Sequence, residues 1–165
     1  KNGKIIIMAP IAGFGGVREN RLGRRLGNWR DDVNMGETFS PSTGFKLPDG
    51  TTKSPDASWI NEKKLKALLN AKAEKGFLKV VPDFVAVICS ENDKPDKVKA
   101  KMTDVWIANG VQLGWLIDPY NELAIIYRSD GSTEEVKGFD NTLSGEDVLP
   151  GFELKLDEFR LTAGR

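Results

Sequence analysis

Two acids stand in matching contexts, each behind a proline at the mouth of an apolar run: Asp56 in SPDASWI (54–60) and Asp83 in VPDFVAVICS (81–90). Carboxylates are natural ligands for a hard cation such as Mg²⁺, which keeps several waters and takes one or two protein carboxylates beside substrate phosphate. Asp56 calls for compensation, because aspartate is poorly suited to a strand interior. Its plainer reading is an edge-strand acid that accepts from nearby backbone donors, and spacing leaves both readings open. For Asp83 a cap on the Pro-Asp corner is the simpler reading. On a strand, residues 83, 85, 87 and 89 share one face, so a carboxylate meeting a metal beside Asp56 is expected at 87 or 89. Those positions hold Val87 and Cys89. Cys89 reads as a small buried hydrophobe, since nothing close in sequence would lower its pKa.

What the chain lacks narrows the chemistry further. No histidine and one cysteine among 165 residues exclude Ser-His and Cys-His nucleophile pairs, the common zinc constellations and an internal disulfide. Catalysis would rest on Asp, Glu, Lys, Arg, Ser, Thr, Tyr or a metal held by oxygen. Lys plus Arg equals Asp plus Glu at 24 each, so no whole-molecule field favours a polyanion or a membrane surface. Any nucleic-acid site must come from local asymmetry. No stretch approaches the length of a membrane span, and the apolar core of KNGKIIIMAP is short for a secretion signal, so a cytoplasmic setting is expected.

Two basic groups offer that asymmetry. Arg18, Arg21, Arg24, Arg25 and Arg30 stand beside the apolar stripe Leu22, Leu26, Trp29 and Val33, whose spacing is that of an amphipathic helix. Arginine presents a fork of donors to phosphate oxygens, so this is a candidate phosphate-facing surface as well as a candidate solvated face. Lys94, Lys97 and Lys101 form a row on a later helix, where Lys101 could stabilise charge on a phosphoryl oxygen or merely be solvated.

The elements that must position these groups follow from pattern. KIIIM (4–8) reads as a strand, and PSTGFKLPDGTTKSPDASWI (41–60) as a hairpin turning at Asp49-Gly50. Residues 62–75 read as a lysine-rich helix with Leu65, Leu68 and Leu69 on one side. DFVAVICS reads as a strand buried on both faces. Asp93 is a candidate cap for a helix that carries Pro95 in its first turn, ends at Gly110 and faces the core with Val98, Met102, Val105 and Trp106. QLGWLID and LAIIYR read as strands joined through PYNE. The tail from 139 to 159 holds six carboxylates against one lysine and should repel a phosphate backbone. The whole chain, 1–165, suits one domain with a mixed α/β layer and helices covering part of the sheet.

The blocks NGKIIIMAP, FSPSTGFKLPDGTTKSPDASWI, VPDFVAVICS, KAKM, WIANGVQLGWLIDP and LSGEDVLPGFELKL resemble the Uma-type restriction endonuclease family over nearly the whole chain. That resemblance implies the PD-(D/E)xK nuclease fold, a central mixed β-sheet flanked by helices in a restriction endonuclease-like core. It also implies Mg²⁺- or Mn²⁺-dependent hydrolysis of DNA. By the same resemblance Asp56 matches the first metal-binding aspartate, Asp83 the Pro-Asp that opens the next core strand, and Lys101 the lysine moved onto the following helix. The second metal ligand is usually a glutamate four residues after that Pro-Asp, where this chain has Val87. KMTDVW carries one more residue than the family between its lysine and aromatic, near Asp104 or Val105, which would turn a regular helix by about 100° unless a bulge absorbs it. The family also has more chain before NGKIIIM, including a helix and a strand at the sheet edge, and an uncovered edge favours self-association.

Two functions follow. One is a working or residual nuclease in which Asp56 holds the metal, Lys101 steadies the transition state and Glu19 replaces the missing ligand. The other is a nuclease-shaped protein that binds DNA or a protein partner without cleavage, with Arg18, Arg21 and Arg25 as DNA contacts. A homodimer is expected by analogy with nucleases that cut both strands.

Overall fold

A computed structural model describes residues 13–72 and 76–162. The strand expected at 4–8 lies outside those residues. The first described element is helix α1, Gly13–Val33, whose Leu22, Leu26 and Trp29 are buried. It starts earlier than the stripe alone indicated, because Gly13–Arg18 continue the helix without adding to its apolar face.

Six strands form the central sheet: β1 (Glu37–Phe39), β4 (Ala57–Ile60), β5 (Phe84–Ile88), β6 (Leu113–Asp118), β7 (Leu123–Arg128) and β8 (Thr133–Lys137), in that spatial order. Only β5 and β6 run parallel among these neighbours, with Val85 opposite Gly114 and Val87 opposite Leu116. A parallel pair needs a crossover, and here it is helix α3, Pro95–Lys101, running into a π-helix at Met102–Ile107. The β6–β7 pair is the hairpin that PYNE foretold.

The segment read as one hairpin is divided. Strands β2 (Phe45–Lys46) and β3 (Thr52–Lys53) close around Asp49-Gly50, and Gly50 takes φ +89°. Ala57–Ile60 then leaves that hairpin and pairs with β1 and β5 instead. The reason is burial: all four residues of β4 are buried, and a two-stranded ribbon cannot cover both of its faces.

Alternation along β5 separates two cores. Phe84 and Ala86 face α1 and the C-terminal segment, packing with Leu22, Leu26, Trp29, Trp59, Trp115 and Phe152. Val85, Val87 and Cys89 face the other way, toward Phe45, Val98, Met102 and Trp106. The C-terminal segment includes the hairpin β9 (Thr142–Ser144) and β10 (Glu153–Lys155). α1 is fastened to both sides of its groove, directly by Trp29 Nε1 donating to the Pro150 carbonyl at 2.8 Å and through Trp29 meeting Trp59 edge-on at 5.6 Å. Gly36 follows α1 at φ +69°, and a Cβ there would collide with the Ile60 carbonyl.

Helix α2, Glu62–Asn70, is shorter than expected and buries none of its leucines fully; Leu69 is 64% exposed. Asp93 does not cap α3. Its carboxylate accepts from the Ser90 backbone at 2.8 Å, and Lys94 occupies the cap position without a side-chain hydrogen bond. Pro95 stands in the first turn, where its missing N–H costs nothing. Among the described residues no helix is long and apolar enough to cross a membrane.

Candidate active site

Asp56 sits at a bend directly before β4, so it leaves the alternation of the strand. Its Oδ2 accepts a 2.6 Å hydrogen bond from the Ile88 backbone, at the far end of β5 from Asp83. Glu19, from the second turn of α1, is close enough to the same carboxyl to raise its pKa. Burial pushes the Asp56 pKa up to about 7; the Ile88 N–H pulls it down, while Glu19 and Asp93 push it further up. A carboxyl in that state is partly protonated near neutral pH.

Glu19 and Asp56 open into a cavity of about 440 Å³ between α1 and the loop after β1, lined also by Asn20, Arg24, Thr38 and Ser40. Val87 lies elsewhere. It lines a separate cavity of about 130 Å³ with Lys53, Ser54, Lys101, Met102 and Trp106, on the α3 side of the sheet. By register Val87 stands across from Asp56, one pair beyond Ala57 and Ala86, yet the bend at Asp56 opens its carboxyl to the α1 cavity while Val87 lines the other. Lys101 is exposed on the rim of Val87's cavity.

The extra residue after Lys101 is taken up in the π-helix. Ala108 N–H bonds back to Thr103 and Val111 N–H to Trp106, each five residues earlier. A π-turn holds one residue more than an α-turn. Met102 and Trp106, four residues apart, are both buried.

Asp83 is engaged structurally. Its buried carboxylate accepts from Asn61 N at 2.7 Å and from Lys64 Nζ at 3.0 Å, tying the start of α2 to the start of β5. It belongs to neither cavity. Cys89 is buried, and burial raises its pKa to about 12, so it is a poor nucleophile at neutral pH.

The arginine face is not a continuous cationic surface. Arg18 is 4% exposed and packs over Tyr120, donating to its hydroxyl at 3.3 Å. Arg21 donates to the Glu158 carbonyl at 2.6 Å, and Arg25 pairs with the Glu158 carboxylate at 2.8 Å. The acidic tail, expected only to repel phosphate, folds against this helix and occupies Arg21 and Arg25. The Thr38–Pro41 wall of the cavity went unremarked in the sequence, and no local signal marks it, because its partner α1 lies far away along the chain.

Residues 1–157 match the Uma2 family, described as "Putative restriction endonuclease". The chain belongs to this family. Among solved structures it is similar to a "putative nuclease belonging to DUF820" from Anabaena variabilis ATCC 29413, with 18% identity, a TM-score of 0.75 and coverage of 96% of this chain and 86% of that one. The Uma2 chain thus shares that protein's fold. A weaker likeness, with a TM-score of 0.46 and 14% identity, is to the chain in the "DrdV-DNA complex" structure; it covers 76% of this chain and 11% of that one. No curated protein matches the chain.

Proposed function

We propose that this Uma2 chain is a metal-dependent nuclease acting on DNA, and that Glu19 and Asp56 are the acids that hold its divalent cation, Mg²⁺ or Mn²⁺. One observation carries the reading: two carboxyls from distant elements line one cavity, at a cost in desolvation and repulsion that the Ile88 N–H offsets only in part. A largely hydrated divalent ion fits such a pair, since it asks for few protein carboxylates and keeps its waters.

A bound cation supplies Lewis-acid polarisation and charge neutralisation at a phosphodiester. The chain's own residues supply placement. The Ile88 N–H fixes one oxygen of Asp56, leaving the other to face the cavity. α1, fastened through Trp29, sets the position of Glu19. Lys101, across the sheet with Val87, is outside this arrangement.

A second reading is a nuclease fold that binds without cutting. It is favoured by the finding that, among the described residues, no group of three or more acidic or cysteine side chains converges as a metal cage. Plasmid nicking and Mn²⁺ calorimetry on the native chain, Glu19→Gln and Asp56→Ala separate the two. The nuclease reading expects nicking and a binding heat from the native chain and loss of both in either variant. Mn²⁺ heats that are the same in all three proteins would remove the cation from this pair.

A further inference from the structure

The cavity that holds the two acids poses an electrostatic difficulty. Glu19 and Asp56 would repel a phosphodiester, so an anionic substrate needs a fixed positive group there. Arg24 is the only cationic side chain lining the cavity among the described residues. It is exposed and, among the described residues, has no hydrogen bond or ion pair, whereas Arg18, Arg21, Arg25, Arg30, Arg128 and Arg160 are each engaged within the chain.

Helix geometry lets Arg24 act in the cavity. It lies four residues after Asn20, on the same flank of α1, and about 140° round the helix and about 7.5 Å along it from Glu19. Helical side chains lean toward the N-terminus, over the preceding turn, so Arg24 reaches over Asn20 into the side of the cavity. That turn presents Asn20 and Gly23, which also line the cavity. Gly23 has no side chain to obstruct the approach, and a Cβ built there meets nothing within 4 Å. Packing among the described residues does not require its bareness.

We propose that Arg24 anchors a substrate phosphate in this cavity, receiving a nucleic-acid strand laid between α1 and the Thr38–Pro41 segment. The proposal rests on the assignment of Glu19 and Asp56 to the same site. It names a residue outside the set Arg18, Arg21 and Arg25, whose guanidiniums already have partners.

The test is fluorescence anisotropy with short labelled single-stranded and duplex DNA across a salt series in EDTA, with Mn²⁺ calorimetry run separately. Arg24→Ala should weaken binding about tenfold and reduce the log–log salt slope by about 0.7 on single strands or about 0.9 on duplex, the release expected for one phosphate contact. The probe that shows the loss identifies the form of strand taken. Arg24→Lys should keep the slope, Arg25→Ala should keep both slope and affinity, and Arg24→Ala should leave the Mn²⁺ heat unchanged. A native slope and affinity in Arg24→Ala on both probes overturns the proposal, as does a native protein that binds neither. A native chain that gives no Mn²⁺ heat, yet loses slope on Arg24→Ala, overturns the metal assignment and supports the phosphate anchor.

Discussion

Asp56 and Ile88 are joined by a 2.6 Å hydrogen bond from backbone to carboxylate, made where β4 begins and β5 ends. That bond favours the ionised acid, yet burial and the neighbouring Glu19 prevail and carry the pKa to about 7. A carboxyl whose folded pKa is raised binds more protons folded than unfolded between about pH 4 and 7, so stability falls as pH rises through that window. Urea midpoints should drop by the equivalent of about 1–3 kcal/mol from pH 4 to pH 8, and Asp56→Asn should flatten the profile. An equally steep decline in Asp56→Asn would assign the titration to another group.

Val87→Glu addresses the family's usual second acid directly. In this fold its carboxylate would enter the cavity of Met102 and Trp106, across the sheet from Glu19. We expect no gain in Mn²⁺ affinity and a loss of about 1–3 kcal/mol from a partly buried charge, moderated by Lys53 and Lys101. Calorimetry that showed tighter binding in Val87→Glu would return the metal to that side of the sheet.

The π-helix predicts an asymmetry between two deletions. Removing exposed Asp104 converts the π-turn to an α-turn and should shift the melting temperature by no more than about 4 °C, the equivalent of roughly 1 kcal/mol in a chain of this size. Removing Gly27 from the regular helix α1 rotates buried Trp29 by about 100° and should abolish cooperative melting. Similar melts for both deletions would show that the π-turn is not where the extra residue is absorbed.

Asp83 should behave as a structural acid. Asp83→Ala strands the Lys64 ammonium, which is 30% exposed, and frees the Asn61 N–H, for a cost of about 2–3 kcal/mol in urea unfolding. Mn²⁺ binding should be unaffected. A loss of cation binding with stability intact would make Asp83 part of the site.

How much of this was legible beforehand depended on the range of the interaction. The stripe of α1, the buried run of β5, the turn at Asp49-Gly50 and the β6–β7 hairpin are local periodicities or local φ requirements, and they read directly from neighbouring residues. The extra residue in KMTDVW was also legible, but that it would form a π-turn rather than rotate the helix was settled only by the hydrogen bonds of Ala108 and Val111, which no local pattern announces. The joining of β4 to the main sheet was hidden because SPDASWI follows a genuine turn and nothing local says where its partner lies.

The sequence by itself determined the chemical vocabulary, which is acids, lysines and arginines without histidine, and it placed the chain in its family. It also supplied Glu19 and Asp56 as candidates. Only the tertiary structure decided that these two line one cavity, that Val87 lines another, and that Glu158 occupies Arg21 and Arg25 while Arg24 has no partner among the described residues. The reason is physical: which face of a helix meets which end of a strand is set by packing between elements dozens of residues apart, and no local pattern encodes it.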